Sequence, residues 1–353
     1  MRPRAAWLEA REEGRARRAV LLPLAGAARL YAVGAALHRS LYRARWLRAR
    51  RFPGRVVSVG NLTVGGNAKT PAAAWLARSL ASRGHQVVLA SRGAGARPGP
   101  DVVVVSDGRF VRSRAEEAGD EALVLAAHAP GVPVLVARDR GRAALRALSA
   151  FGADLVVLDD GFQHHRLARD VDLLLVDAAQ GFGNGRVLPR GPLREPLSAL
   201  QYAHAVGFVD GEPGPREQAA LARFAPLARI FRARRRPVSL RPLAGGPGAP
   251  PESLAGAEVG MLAGLARPAS LRATLERLGA RVVAERRFPD HHRYRARDLR
   301  GLAELVPRWI TSEKDAFKLS PDWLGGADLQ VLEIELEVEQ APDFLDWLEA
   351  RLR

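Results

Sequence analysis

Short apolar runs punctuate the middle of the chain: Val56, Val57 and Val59 within 55–60, then 85–90, 132–137, 153–158 and 171–177. Each is too short for a buried helix and too continuous for a half-exposed strand, so each reads as a strand buried on both faces. Residues 71–83 separate the first two and space Ala72, Ala73, Trp75, Leu76 and Leu80 for packing along one helix. Further helical stretches begin at Asp120 and Arg140. Strand and helix in alternation predict a doubly wound, mostly parallel α/β sheet.

The rhythm breaks near residue 210, where Asp210-Gly-Glu-Pro-Gly-Pro and then a Gly/Pro-rich loop over 244–251 act as connectors. Beyond them the pattern predicts helices near 270–278 and 298–305, strands over 281–288, 309–312 and 329–337, and an amphipathic helix from Pro342. This is a smaller second α/β domain. The expected division is an N-terminal helical segment (1–54), a nucleotide-binding domain (55–210), connecting strands (211–255) and a closing domain (256–353).

Charge changes the picture at the front. The chain carries a net +16, and residues 1–55 hold fourteen Arg, no Lys and only Glu9, Glu12 and Glu13 against them. Between the basic clusters, residues 19–37 are apolar except for Arg29 and interrupted by Pro23; Leu41, Tyr42, Trp46 and Leu47 then alternate with further arginines. Apolar surface flanked by Arg and aromatics suits a helix lying in an anionic membrane interface. Crossing the bilayer is disfavoured, because Arg29 at mid-span costs about 2.5–3.5 kcal/mol. A signal peptide is disfavoured by acidic residues in its first region and by the lack of a cleavage site after Leu37. The alternative is a buried helix pair with a solvated Arg face. A nucleic-acid partner is not expected, since no reading motif follows the basic arm. With no cysteine in the chain, disulfides and thiolate metal sites are excluded, and a cytosolic compartment is expected.

Only three of the 54 basic residues are lysine: Lys69, Lys314 and Lys318. Where Arg is otherwise used throughout, a lysine marks a place where a compact ammonium is needed. Lys69 closes Gly60-Asn-Leu-Thr-Val-Gly-Gly-Asn-Ala-Lys-Thr70, a glycine-rich turn between a strand and a helix, as a phosphate-binding loop requires. Gly65, Gly66, Asn67 and Ala68 would wrap the phosphates with backbone N–H groups, Lys69 would reach the β and γ phosphates, and Thr70 would ligate Mg²⁺. Ala68 stands where glycine is usual and is expected to need a negative φ. Lys318 is expected on a surface helix, where chance explains it.

A second signal supports the first. Residues 153–161 form an apolar strand ending in Asp159-Asp160-Gly161, which would deliver a carboxylate to Mg²⁺. Alternation along a strand allows only one of the pair to face the metal; Asp160 is expected to do so with Thr70, and Asp159 to hold water. His164 and His165 invite a zinc reading, but adjacent residues diverge on a strand, and hydrogen bonding at the strand edge is the expected role. Glu313-Lys314-Asp315 lacks the spacer of a guanine-reading motif, which leaves ATP as the nucleotide.

Taken together, the motifs resemble the tetraacyldisaccharide 4'-kinases of lipid A synthesis. The matching stretches are Ser58-Val-Gly-Asn-Leu-Thr-Val-Gly-Gly-Asn-Ala-Lys-Thr-Pro71, Ser91-Arg-Gly93, Gly119-Asp-Glu121, Leu158-Asp-Asp-Gly-Phe-Gln-His-His-Arg-Leu167, Leu188-Pro-Arg-Gly-Pro-Leu-Arg-Glu-Pro196, Phe288-Pro-Asp-His-His-Arg-Tyr294 and Thr311-Ser-Glu-Lys-Asp315. Ala68 and Ala94 depart from the family pattern. The resemblance implies a P-loop fold and transfer of the ATP γ-phosphoryl group to the 4'-hydroxyl of an acylated glucosamine disaccharide 1-phosphate, giving lipid IVA. It also implies an anionic glycolipid substrate at the cytoplasmic face of the inner membrane.

On that resemblance, Asp120 is the base and His291 its partner; Asn184, Arg194 and Glu195 sit on a Gly/Pro-rich loop too irregular for core and are expected to line the sugar and phosphate site. Read without it, Asp120 is an N-cap, His291 and His292 form a solvated turn, and Arg194 is a surface ion pair. The active site is expected in a cleft between the two domains that closes on ATP. The competing function is a membrane-associated P-loop ATPase that switches partners without phosphorylating a small molecule; a nucleic-acid-binding ATPase is a third.

Overall fold

The computed structural model describes residues 22–65, 68–96 and 102–353. Gly66, Asn67 and the basic residues before position 22 lie outside the described residues. In chain order the principal elements are α1 (Pro23–Arg43), β1 (Arg55–Gly60), α2 (Lys69–Ser82), β2 (Val87–Ser91), β3 (Val103–Asp107), α3 (Asp120–His128), β4 (Pro133–Val136), α4 (Arg140–Phe151), β5 (Leu155–Asp159) and β6 (Val171–Asp177). Then follow β7 (Ala205–Val209), α5 (Pro215–Phe224), β8 (Arg229–Pro242), β9 (Glu258–Ala263), α6 (Pro268–Arg277), β10 (Arg281–Arg287), β11 (Arg308–Ser312), β12 (Asp328–Val338) and α7 (Ala341–Leu352).

All the strands join one twelve-stranded sheet in the order β10-β9-β11-β12-β8-β7-β6-β1-β5-β2-β4-β3. Pairing is parallel except between β3 and β4 and between β8 and β12. Helices cover both faces, which is why β5 and β6 read as unbroken apolar runs. On one face α2 packs Ala73, Leu76 and Leu80 against Val57, Leu89 and Val157. On the other, α4 packs Ala143, Ala144 and Ala147 against Val56, Val88 and Leu135.

The two halves share this sheet. The long β8 and β12 pair along nearly their whole length and carry the hydrogen-bond ladder from one half to the other. The amphipathic helix at the end, α7, buries Phe344, Leu345 and Leu348 in the same cluster as α2 and β1, not against β9–β11. The later strands have their own clusters, around Val259, Met261 and Ile310 on one face and Leu262, Trp309 and Leu329 on the other.

At the front, α1 runs past the predicted end at Leu37 to Arg43, and Pro23 stands in its first turn, where its missing N–H costs nothing. Pro23 starts the helix and does not interrupt it. Ala28 and Arg39 are buried, whereas Leu30, Val33 and Leu37 are 78%, 65% and 57% exposed. No helix among the described residues is long and apolar enough to cross a membrane.

Candidate active site

β1 and β5 lie side by side in parallel, with Val59 opposite Asp159, so both deliver their last residues to the C-terminal edge of the sheet, where doubly wound folds bind ligands. The glycine-rich loop leaves β1 there, with Asn61 Nδ2 donating to the Thr63 carbonyl at 2.7 Å, and re-enters regular structure as α2 at Lys69. Ala68 precedes it at φ +55° and ψ 26°. The expectation of a negative φ is wrong: the loop keeps the left-handed backbone that glycine adopts freely, and alanine bears the strain.

Lys69 Nζ stands 3.7 Å from Asp160 Oδ1 and 3.5 Å from the Gly65 carbonyl oxygen. Thr70 Oγ1 donates to Asp159 Oδ2 at 3.1 Å. Thr70 thus meets Asp159, while Asp160, expected beside Thr70 at Mg²⁺, pairs with Lys69 and Arg194. Asp159 is the last strand residue and faces α2; Asp160 leaves the strand at φ +53°, which turns its carboxylate to Lys69 and to Arg194 Nη1, 2.8 Å from Oδ2. Gly161 permits this turn, since a side chain there would collide with Leu158 and Ser58. Burial, followed by the Glu121 and Asp160 charges, pushes the Asp159 carboxyl up to about 7. Burial opposes ionisation of Asp160 too, but Lys69 and Arg194 outweigh it and hold that carboxyl below its ordinary value.

Beyond the end of β2, α3 begins at Asp120 because Gly119 takes φ +83° against the Ala94 carbonyl oxygen, where an added Cβ would stand only 2.3 Å away. Asp120 is the first residue of α3, and its Oδ1 accepts the Glu121 N–H at 2.9 Å, but it is no solvated cap: it is 3% exposed. His291 Nδ1 lies 3.0 Å from Oδ1 and 3.1 Å from Oδ2, and Lys318 Nζ 3.2 Å from Oδ2. Burial favours the neutral Asp120; the His291 hydrogen bond and the Lys314, His291 and Lys318 charges prevail and lower its pKa. The bond to Asp120 raises the pKa of His291 against burial.

The expectation for Lys318 is overturned. Its side chain is 10% exposed and bridges Asp120 to the fully buried Asp315, 3.0 Å away. Lys314 Nζ meets Glu121 at 3.1 Å, Asp290 at 3.3 Å and His291 Nε2 at 3.4 Å. Lys314 and Lys318 therefore both serve the Asp120–His291 pair, although Lys314 had no role assigned within its motif and Lys318 lay outside the quoted motifs; their rarity was the signal that could have found them.

Other predicted residues take supporting positions. Asn184, expected at the sugar and phosphate site, donates from Nδ2 to the Arg190 carbonyl at 3.1 Å and accepts the Arg186 N–H at Oδ1, which pins the Gly/Pro-rich loop. Glu195 is 4% exposed and accepts from Arg39 Nε at 2.9 Å, so it docks α1. His164 is held neutral by burial, at about 4, and His165 Nε2 lies 3.7 Å from Glu195. Among the described residues no group of three or more His, Cys, Asp or Glu is arranged to hold a metal ion.

Residues 18–353 match the family described as tetraacyldisaccharide-1-P 4'-kinase. The tetraacyldisaccharide 4'-kinase of Anaeromyxobacter sp. (strain Fw109-5) is 43% identical over 339 residues, covering 92% of this chain and 90% of that one. Its counterpart from Syntrophus aciditrophicus (strain SB) is 38% identical over 336 residues, covering 89% and 88%. A crystal structure of LpxK from Aquifex aeolicus in complex with ATP is 29% identical, with a TM-score of 0.74 over 95% of this chain and 99% of that chain. The match runs through both halves of the sheet and through every motif that builds its C-terminal edge: this chain belongs to the tetraacyldisaccharide 4'-kinase family.

Proposed function

We propose that the chain transfers the γ-phosphoryl group of ATP to the 4'-hydroxyl of an acylated glucosamine disaccharide 1-phosphate, forming lipid IVA, with the roles that follow. The observation that carries this reading is that a phosphate-loop ammonium beside paired aspartates and a buried carboxylate–imidazole pair are neighbours, linked by Glu121, whose charge acts on Asp159 and whose carboxylate meets Lys314 next to His291. A partner-switching ATPase has no need of the second feature.

Phosphoryl transfer asks mainly for positioning and charge neutralisation. Lys69 and Arg194 supply cations for the polyphosphate, and Asp160 holds both in place. The oxygens of Thr70 and Asp159 suit Mg²⁺, a hard ion that takes one or two carboxylates and leaves its other positions to water and phosphate. Asp159 Oδ1 is buried without a hydrogen-bond partner, as a group reserved for a cation would be. When bound there, Mg²⁺ would neutralise charge on the β and γ phosphates. Asp120 accepts the proton of the sugar hydroxyl late in transfer, and His291 orients the carboxylate and carries the proton away. The exposed apolar face of α1, with Arg43, Arg45 and Arg48 following it, lies on the anionic cytoplasmic surface of the inner membrane, beside the glycolipid.

The test is incubation with γ-labelled ATP and tetraacyldisaccharide 1-phosphate in detergent micelles. A labelled glycolipid is expected from the native chain. Lys69→Ala should lose turnover by about a thousand-fold or more, and Asp120→Ala should lower kcat far more than ATP affinity. Near-native turnover in either variant removes that residue from the chemistry.

A further inference from the structure

Asp120 is a carboxylate with three donors: the Glu121 amide on Oδ1, His291 Nδ1 shared between both oxygens, and Lys318 Nζ on Oδ2. A carboxylate offers about four lone-pair sites, so this arrangement leaves roughly one for an incoming hydroxyl. Lys318 itself is held at its far side. Asp315, fully buried, accepts the Gly264 N–H and the Ser312 hydroxyl, each at 2.9 Å, and offers Oδ1 to Lys318 at 3.0 Å. The Tyr294 ring lies 5.4 Å from the ammonium. A rigid anchor at the end of β11 thus reaches through one ammonium to the first residue of α3.

The replacement pattern in the sequence is informative here. This chain uses arginine at 51 of its 54 basic positions, yet Lys318 is a lysine. A planar guanidinium is broad and presents a fixed fork, whereas an ammonium is a point donor that can serve two carboxylates and a ring face from one small space.

We infer that Lys318 is a positioning residue for phosphoryl transfer, fixing the Asp120 carboxylate so that its remaining lone pair meets the acceptor hydroxyl. The inference rests on the reading of Asp120 as proton acceptor. The charged groups around that carboxylate are His291, Lys314 and Lys318, with Glu121, Asp290 and Asp315 beyond them. Removing Lys318 takes away one of the cations that lower the Asp120 pKa, so the group protonates at higher pH.

The experiment compares Lys318→Met, Lys318→Arg and Asp120→Asn with the native enzyme, measuring kcat and KM for ATP across pH and thermal unfolding of each. Lys318→Met is expected to lose about ten-fold or more in kcat with KM for ATP within about two-fold, and to move the acid limb of the kcat profile to higher pH. Lys318→Arg keeps the charge and loses the geometry, so it should fold and still fall well short of native kcat. Native kcat and an unmoved acid limb in Lys318→Met overturn the inference. If leaving two buried carboxylates uncompensated unfolds Lys318→Met, native kcat in Lys318→Arg overturns it instead. Turnover by Asp120→Asn defeats the acceptor reading; an inactive Asp120→Asn beside native-like Lys318 variants defeats only this one.

Discussion

Ala68 concentrates the residue-scale lesson. Its position before a strand-to-helix turn was legible in the sequence, but its φ of +55° was not, because the loop path is set by what β1 and α2 require at either end. A left-handed alanine costs about 1–2 kcal/mol. Ala68→Gly relieves that strain and gives back part of it, about 0.4–1 kcal/mol, through the freer unfolded chain. The variant is expected to be as stable as the native chain or up to about 1 kcal/mol more stable, and to bind ATP no more weakly and up to about five-fold more tightly. Calorimetric titration with ATP and a thermal scan check both; weaker binding would mean that the alanine methyl itself contributes to the site. The paired aspartates teach the same point. Their adjacency was readable, but the strand ends at Asp159, so alternation does not separate them: the left-handed backbone at Asp160 decides that Asp159 meets Thr70 and Asp160 meets Lys69.

At the scale of elements, α1 is tied to the segment that holds Asp160 by a buried ion pair. Arg39 and Glu195 are 5% and 4% exposed, and the guanidinium also lies 4.5 Å and 4.7 Å from the Phe162 and Tyr202 rings. Glu195 follows Arg194, the residue that holds Asp160, so the position of the helix and the geometry of the phosphate site share one short segment. Arg39→Gln strands a buried carboxylate and should destabilise the protein by about 3–5 kcal/mol. Urea denaturation measures the loss, and limited trypsin digestion should cut within α1 sooner than in the native chain. A change under about 1 kcal/mol would show that α1 docks through its apolar contacts alone. Sequence analysis expected Glu195 at the sugar and phosphate site because its Gly/Pro-rich loop is too irregular for core; its ion pair with Arg39, 156 residues away, lies beyond any local pattern.

For the whole molecule, β9, β10 and β11 run antiparallel to β1 and β5, and the second half meets the first at α3, where His291 reaches Asp120 and Glu313 reaches His128, while α1 turns Leu30, Val33 and Leu37 outward on one helical face. An exposed apolar stripe of this kind, bordered by arginines, is a surface that water does not favour. Leu30, Val33 and Leu37 all changed to Glu should reduce co-sedimentation with anionic vesicles by about ten-fold or more, while kcat on detergent-dispersed substrate stays within about two-fold. Unchanged vesicle binding would end the assignment of this face to the membrane.

The sequence by itself determined the α/β rhythm, the phosphate loop, the carboxylate strand and the basic apolar front, since each rests on interactions between residues close along the chain. Strands β3, β7 and β9 escaped it, and β8 was foreseen only as an unplaced connecting strand within 211–255: it reads Arg-Ile-Phe-Arg-Ala-Arg-Arg-Arg, an arginine-rich run whose place in the sheet is fixed by its backbone ladders to β7 and β12. The division into halves by composition likewise missed that α7 returns to the first core, because docking follows apolar surface and not chain order. Only the tertiary structure could bring Lys314 and Lys318 to Asp120, from nearly two hundred residues away, since burial turns an unremarkable surface charge into the counter-ion of a buried carboxylate.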